Sequence, residues 1–262
     1  ALQAETDGDY NVAVGYKRLY ELTGATGHNV AVGHTAADSL TTGSYNVAIG
    51  SGALRTEDTG GRNIAIGYHA AQGLDYDGDA YNVAIGFYAG RYLTTGRYNI
   101  LLGYSAGTSL ATAGTSIAIG HSALFSEDSD GGNVAIGHNS FYYQNVGADA
   151  LTYNVGVGYY TGRATTTGTK NTFIGGLAGS DNTEGASNTF VGYGAGRDVI
   201  DGSYNTAVGE TSFYDSTGAT GCVAMGYQSL ANVTTASSNT GLGRQAGQLI
   251  TTGDLNTAVG AY

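Results

Sequence analysis

"YNVAIG" runs from Tyr45 to Gly50 and recurs, letter for letter, from Tyr81 to Gly86. Near-copies start at Tyr10 (YNVAVG), Gly132 (GNVAIG), Tyr204 (YNTAVG) and Leu255 (LNTAVG). A glycine loop built for chemistry is needed once. A phrase repeated along a chain is architecture.

Taking the Asn of this phrase as column one, it falls at Asn11, Asn29, Asn46, Asn63, Asn82, Asn99, Asn133, Asn154, Asn171, Asn188, Asn205, Asn239 and Asn256. Ser116 and Cys222 hold the same column in two otherwise intact copies, which makes fifteen. The spacing is 17 residues, with insertions of one, two and four. Column five is glycine throughout, and column four is always large and apolar, as in Val14, Ile49, Leu102, Met225 and Val259. A 17-residue unit of small and β-branched residues with a T-T-G turn is too short for a helical hairpin repeat. It suits one coil of a solenoid, with a short strand between Gly-rich corners. The fold expected is therefore all-β: a parallel β-solenoid (β-roll or β-helix) of about 15 coils. It would cover residues 1–262 as a single continuous repeat domain with half-coils at both ends.

Strand alternation puts columns two and four on one face and the Asn, Ala and Gly columns on the other. Neither face carries charge, so the strand should be covered on both sides, by the coil interior and by a second chain. Columns nine and twelve compensate each other. Leu54, Leu124, Phe141 and Phe213 in column nine go with Glu57, Glu127, Gln144 and Ser216 in column twelve. Small residues such as Ala37, Ala71, Gly90 and Gly107 go with Leu40, Leu74, Leu93 and Leu110. A confined interior that holds about one large plug per coil gives this pattern. Leu19/Leu22 and Leu230/Val233 break the rule with two plugs, Gly162/Thr165 and Gly179/Asn182 with none.

Composition narrows the partners. The formal net charge is −11, with 10 Lys and Arg against 21 Asp and Glu, which argues against nucleic acid and anionic membrane surfaces. No apolar run approaches the length of a membrane span, so membrane insertion is not expected. The lone Cys222 excludes an internal disulfide framework. With 45 Gly but no Pro, collagen is excluded, and 21 Tyr within 41% hydrophobic residues argue against simple disorder.

The two ends fit each other. Joined tail to head, NTAVGAY and ALQAETDGDY make one 17-residue unit. Ala1 then falls in the alanine column, Leu2 in the plug column, Glu5 in the polar column, Gly8 in the turn column and Tyr10 in column seventeen. Either subunits stack end to end, with an assembly interface of Ala1, Leu2, Glu5, Gly8 and Tyr10 of one copy against Asn256, Val259, Gly260 and Tyr262 of the next, or the chain is one window of a longer repetitive polypeptide; both give a fibre. The terminal copies also lack the polar capping units of isolated solenoids.

"TTGSYNVAIGSGAL" (Thr41–Leu54) and "TTGDLNTAVG" (Thr251–Gly260) resemble the N-T-A-x-G repeats of phage tail-fibre and bacterial surface fibre proteins. They are also similar to the head repeats of trimeric autotransporter adhesins. The resemblance spans essentially the whole chain. It implies a parallel β-roll, placement on a cell or virion surface outside the cell, trimerisation, and attachment to a receptor.

Each candidate site also has a plainer structural reading. The Asn column reads as a hydrogen-bond ladder, with Cys222 a small buried substitute that costs its neighbours a ladder partner. Aromatic residues in column six (Tyr16, Tyr68, Phe87, Tyr104, Tyr159, Tyr193, Tyr227) offer faces to sugars or to one another. His121 and His138 occupy that column in consecutive copies, without a completing ligand set. In the insertion "DYDGD", Asp75, Asp77 and Asp79 alternate as calcium ligands do, though a full EF-hand loop is lacking. The four-residue insertion near Phe141, Tyr142 and Tyr143 marks a candidate ligand loop.

Nothing rises above the repeat as a catalytic constellation, so neither an enzyme nor a cofactor beyond Ca2+ is expected. The leading expectation is a structural fibre subunit associating with itself end to end, with lateral or trimeric packing. The alternative is an adhesin head or tail-fibre shaft that recognises host surface glycans. An ice-binding solenoid ranks below both, because its threonine columns break at Asp58, Glu184 and Asp201.

Overall fold

The computed structural model describes residues 10–17, 19–23, 27–128, 131–147 and 151–261. The protein is an all-β parallel solenoid with fifteen strands of three residues each. It divides into two compact units, the first to Gly132 with Gly147, the second from Asn133 onward. The first carries β1 (Val12–Val14) to β7 (Ile117–Ile119), the second β8 (Val134–Ile136) to β15 (Thr257–Val259). Within each unit every strand pairs in parallel with the next in chain order, column on column: Val47 on Ile64, Ala48 on Ala65, Ile49 on Ile66. The 17-residue period is thus the coil itself.

The strands are short because both flanks leave the β region. The column-seventeen residue before the Asn is left-handed, as at Tyr45 (φ 60°) and Tyr98 (φ 61°). The column-five glycine after the strand follows suit, as at Gly50 (φ 129°), a region closed to most side chains. Gly50 is fixed by space as well as by conformation. A Cβ there would run into the Gly67 carbonyl of the following coil. Both requirements recur at Gly67, Gly86, Gly103, Gly175 and Gly226, among others, which is why column five holds glycine.

Column three points inward: Ala31, Ala48, Ala65, Leu101, Phe173 and Phe190 are all fully buried. Columns two and four point outward and stay partly exposed, for example Ile49 at 36% and Ile85 at 37%.

The interior is therefore filled from three columns, not two. Leu54, Leu124 and Phe213 (column nine) and Leu40, Leu74, Leu93 and Leu110 (column twelve) are buried plugs, as the compensation implies. Column three accounts for several of the exceptions. Phe173 lies where a Cβ on Gly179 would be, so that coil holds a ring contributed by its strand, while the space at Gly162 is taken by Phe141 of the preceding coil together with Phe173 of the next. Conversely, Gly156 and Gly241 in column three make room for Phe141 and Leu230.

The coil of Asn182 carries a polar defect. Asn182 is fully buried with neither amide atom hydrogen-bonded. The next coil has the same arrangement, Phe190 with Gly196, but carries buried Val199 in column twelve. Replacing an unsatisfied buried amide by a fitting apolar group recovers its desolvation cost. We expect Asn182→Val to stabilise the fold by about 1–3 kcal/mol, read as a rise in the urea midpoint at unchanged m-value; a loss of stability would contradict this packing.

Candidate functional site: the ladder, the coil edge and the acidic corner

The Asn column forms a continuous ladder within each unit. The Asn46 backbone N–H donates to Asn29 Oδ1 at 2.9 Å, and Asn46 Nδ2 donates to the Gly60 carbonyl at 2.9 Å. The same pair of bonds recurs one coil and fourteen residues on, as at Asn171, Asn188 and Asn205. Each amide thus satisfies one donor and one acceptor of the following coil, out of water.

Cys222 corrects the reading from sequence. It does not interrupt the ladder, because its Sγ accepts the Asn239 N–H at 3.5 Å and donates to the Ala236 carbonyl at 3.5 Å. A thiol reproduces both directions of the amide over a longer reach. Burial raises its pKa, so it is held as an unreactive thiol.

The coil edge at β15 shows what an unmatched coil looks like. In interior coils, backbone N–H groups of columns nine, eleven and thirteen donate one coil onward: Phe213 to Ser229, Asp215 to Ala231, Thr217 to Thr234. The equivalent N–H groups of Gly247, Leu249 and Thr251 have no backbone partner among the described residues. Asn256 Nδ2 folds back onto Asn239 Oδ1 and the Gly253 carbonyl. Leu249, Leu255 and Val259 are 82%, 81% and 73% exposed, and a cavity of about 360 Å³ opens beside Gln245, Gly247, Gln248 and Leu249. A Cβ on Gly260 would meet nothing, unlike its counterparts in interior coils. Of the residues expected at the assembly interface, Asn256, Val259 and Gly260 lie on this edge. Tyr10, beside β1 in the first unit, is exposed. Ala1, Leu2, Glu5, Gly8 and Tyr262 lie outside the described residues.

The aromatic columns stack along the coils. Tyr68, Phe87, Tyr104 and His121 follow one another with centroids 4.9–5.4 Å apart. Column seventeen does the same through Tyr10, His28 and Tyr45, with Arg62 over Tyr45 and Tyr81. These faces are spent on each other. His121 belongs to the Tyr104 stack and His138 to that of Tyr159, so each ring is accounted for by stacking.

The expected calcium set does not assemble. Asp79 pairs with Arg62 at 2.7 Å, and Asp77 accepts from the Thr59 hydroxyl at 3.0 Å. The insertion instead brings Asp75 to Glu57 and Asp58, whose carboxylate oxygens lie within 4.8 Å of one another. Column twelve buries Glu57, which spacing alone did not mark as an acidic centre; the signal was its place opposite the plug Leu54. Its Oε1 accepts the Gly60 N–H at 2.6 Å. Burial, ahead of repulsion from Asp75 and Asp58, pushes its pKa up to about 7. These three carboxylates are the residues that could hold a divalent cation.

The candidate ligand loop is also redrawn. Phe141 is fully buried as an interior plug, so it cannot contact a ligand. Tyr143 is exposed, edge-on to Tyr142 and beneath the Arg163 guanidinium.

No protein-family model matches the chain, and neither curated proteins nor solved structures give a match.

The Glu57 environment fixes a pH dependence. Its folded pKa lies above the unfolded value, so between about 4.5 and 7 the folded state holds a proton that the unfolded state has released. Stability contributed by Glu57 is present below pH 4.5, falls as pH rises to about 7, and is flat above. The full span is on the order of 3 kcal/mol. Glu57→Gln keeps an acceptor for Gly60, as Gln144 does in the same column for Asn154. We expect the variant to lose that part of the slope, measured as the wild-type-minus-variant difference in unfolding free energy across this pH range.

Proposed function

We propose that this chain is a structural subunit of an extracellular fibre, growing end to end by adding coil to coil. The observation that carries the proposal is the β15 edge. Among the described residues it offers three aligned N–H donors, an open hollow and exposed Leu249 and Leu255. The occupant is the head of a second copy, whose residues 1–10 supply the ten columns that would follow Tyr262. By sequence register Leu2 of that copy falls in the plug column. Placement on a cell or virion surface follows from the resemblance of the repeat to fibre proteins.

The outward face supports lateral packing, including the trimer that this resemblance implies. Columns two and four carry aliphatic residues, Thr and one Met across the fifteen strands, with no charge. A strand face of this kind normally alternates with polar residues when water is its only neighbour.

Electron microscopy and sedimentation velocity on the purified chain test the proposal: filaments are expected, and a monodisperse monomer overturns it. The Thr240 N–H donates onward to the Asn256 carbonyl, so the Thr257 N–H in the same column points away from the coils already formed. Thr257→Pro deletes that donor without removing an internal bond. It is expected to convert filaments to short particles while leaving the circular dichroism spectrum unchanged.

A further inference from the structure

A groove of about 300 Å³ in the second unit runs past Tyr193, Gly194, Arg197, Tyr214, Asp215 and Asn232. Two features of the sequence open it. In column six, Tyr193 follows Gly176 and precedes Glu210, so unlike Tyr68, Phe87 or Tyr104 it has no ring stacked on it among the described residues. It is 58% exposed. In column seven, Gly194 stands where neighbouring coils carry Leu177, Thr211 and Gln228. A Cβ at Gly194 would sit 3.5 Å from both Thr211 and the Tyr214 ring, so a longer side chain there fills the groove.

The walls combine aromatic surface with planar polar groups. Arg197 lies over the Tyr214 ring and donates to its hydroxyl, which fixes both side chains. Asp215 and Asn232 stand in column eleven of successive coils, offering acceptors and donors one coil spacing apart. An exposed aromatic ring beside a row of donors and acceptors matches an alternation of C–H faces and vicinal hydroxyls. The charge decides the class further. The one guanidinium is already paired with Asp198 at 3.4 Å, and Asp215 and Glu210 add negative charge. An anionic ligand is therefore disfavoured.

We infer that this groove binds a neutral pyranose unit of a saccharide, with Tyr193 as the platform and Arg197, Asp215 and Asn232 as hydroxyl partners. The inference does not rest on fibre formation, because the groove lies within one chain. The small size of a hexose puts its dissociation constant at about 1 mM.

Saturation-transfer NMR on the full chain tests it, using maltotriose, mannotriose and chitotriose as neutral probes and sialyllactose as the acidic one. At least one neutral trisaccharide is expected to receive saturation. Gly194→Gln should abolish it, since Gln228 and Gln245 already occupy this column with φ 51° and 56°, close to the 61° of Gly194. Tyr193→Ala, an exposed change that leaves the groove open, should weaken binding at least tenfold. The inference is overturned if no neutral trisaccharide binds, if Gly194→Gln binds as the parent does, or if sialyllactose binds most tightly. Filament formation by both variants, followed in parallel, separates this outcome from the fate of the fibre proposal.

Discussion

One hydrogen bond organises the molecule: the N–H of a column-one residue donating to the side-chain acceptor of the residue one coil earlier. It holds where the coil is regular, as from Asn188 to Asn171 Oδ1 at 2.9 Å. It holds across the two-residue insertion, from Asn82 to Asn63 Oδ1 at 3.1 Å, although Asn63 Nδ2 there turns to Gly61 instead of the next coil. It holds with sulfur in place of oxygen at Cys222. Within each unit the acceptor is thus the constant part of the ladder and the amide donor the adjustable part. Register follows from it, since a coil slipped by one residue loses the acceptor and turns columns two and four inward.

Around that ladder the backbone adopts conformations that cost energy in isolation. Besides Gly50 and its equivalents, residues such as Tyr45, Leu54 and Ser105 are left-handed, each at about 1 kcal/mol or more. A single coil has no means to offset this. Stacking does, by burying the plugs and closing the ladder, so the unit of stability is the pair of neighbouring coils and not the coil. The interior then behaves as a fixed volume shared among columns three, nine and twelve. Leu101 sits against Gly90 and Gly107, Phe173 against Gly162 and Gly179, and Phe141 against Gly156.

Much of this was legible in sequence because period and column identity are one-dimensional facts. The strand, the Asn ladder, the column-five glycine and the trade between columns nine and twelve all repeat at fixed spacing. The third filling column was hidden for a physical reason: alternation states that neighbours face opposite ways but not which way is in, and Ala in most copies looks like filler. Phe173 and Phe190 were the signal. The insertions were less legible, because extra residues break the column rule that made the rest readable. Asp75, Asp77 and Asp79 alternate in sequence, yet a corner sends Asp75 to Glu57 and Asp79 to Arg62. Cys222 was misjudged by size alone, since sulfur's longer reach lets one atom serve both bonds.

The same regularity that builds the interior leaves the coil edge without an identity of its own. Every donor on the β15 side is a copy of a donor satisfied elsewhere, so whatever satisfies the interior fits the edge. A solenoid of this kind avoids endless growth only by ending in a unit that differs. In the proposed fibre, end growth and lateral packing reinforce each other. Contact along the outward Val and Ile columns grows with the number of coils aligned, whereas the orientational cost of bringing two fibres together is met once. Short particles therefore gain little from side-by-side contact, and stacked ones gain more with each subunit added. An edge substitution that stops stacking would for that reason weaken lateral association as well, though it touches none of the outward side chains.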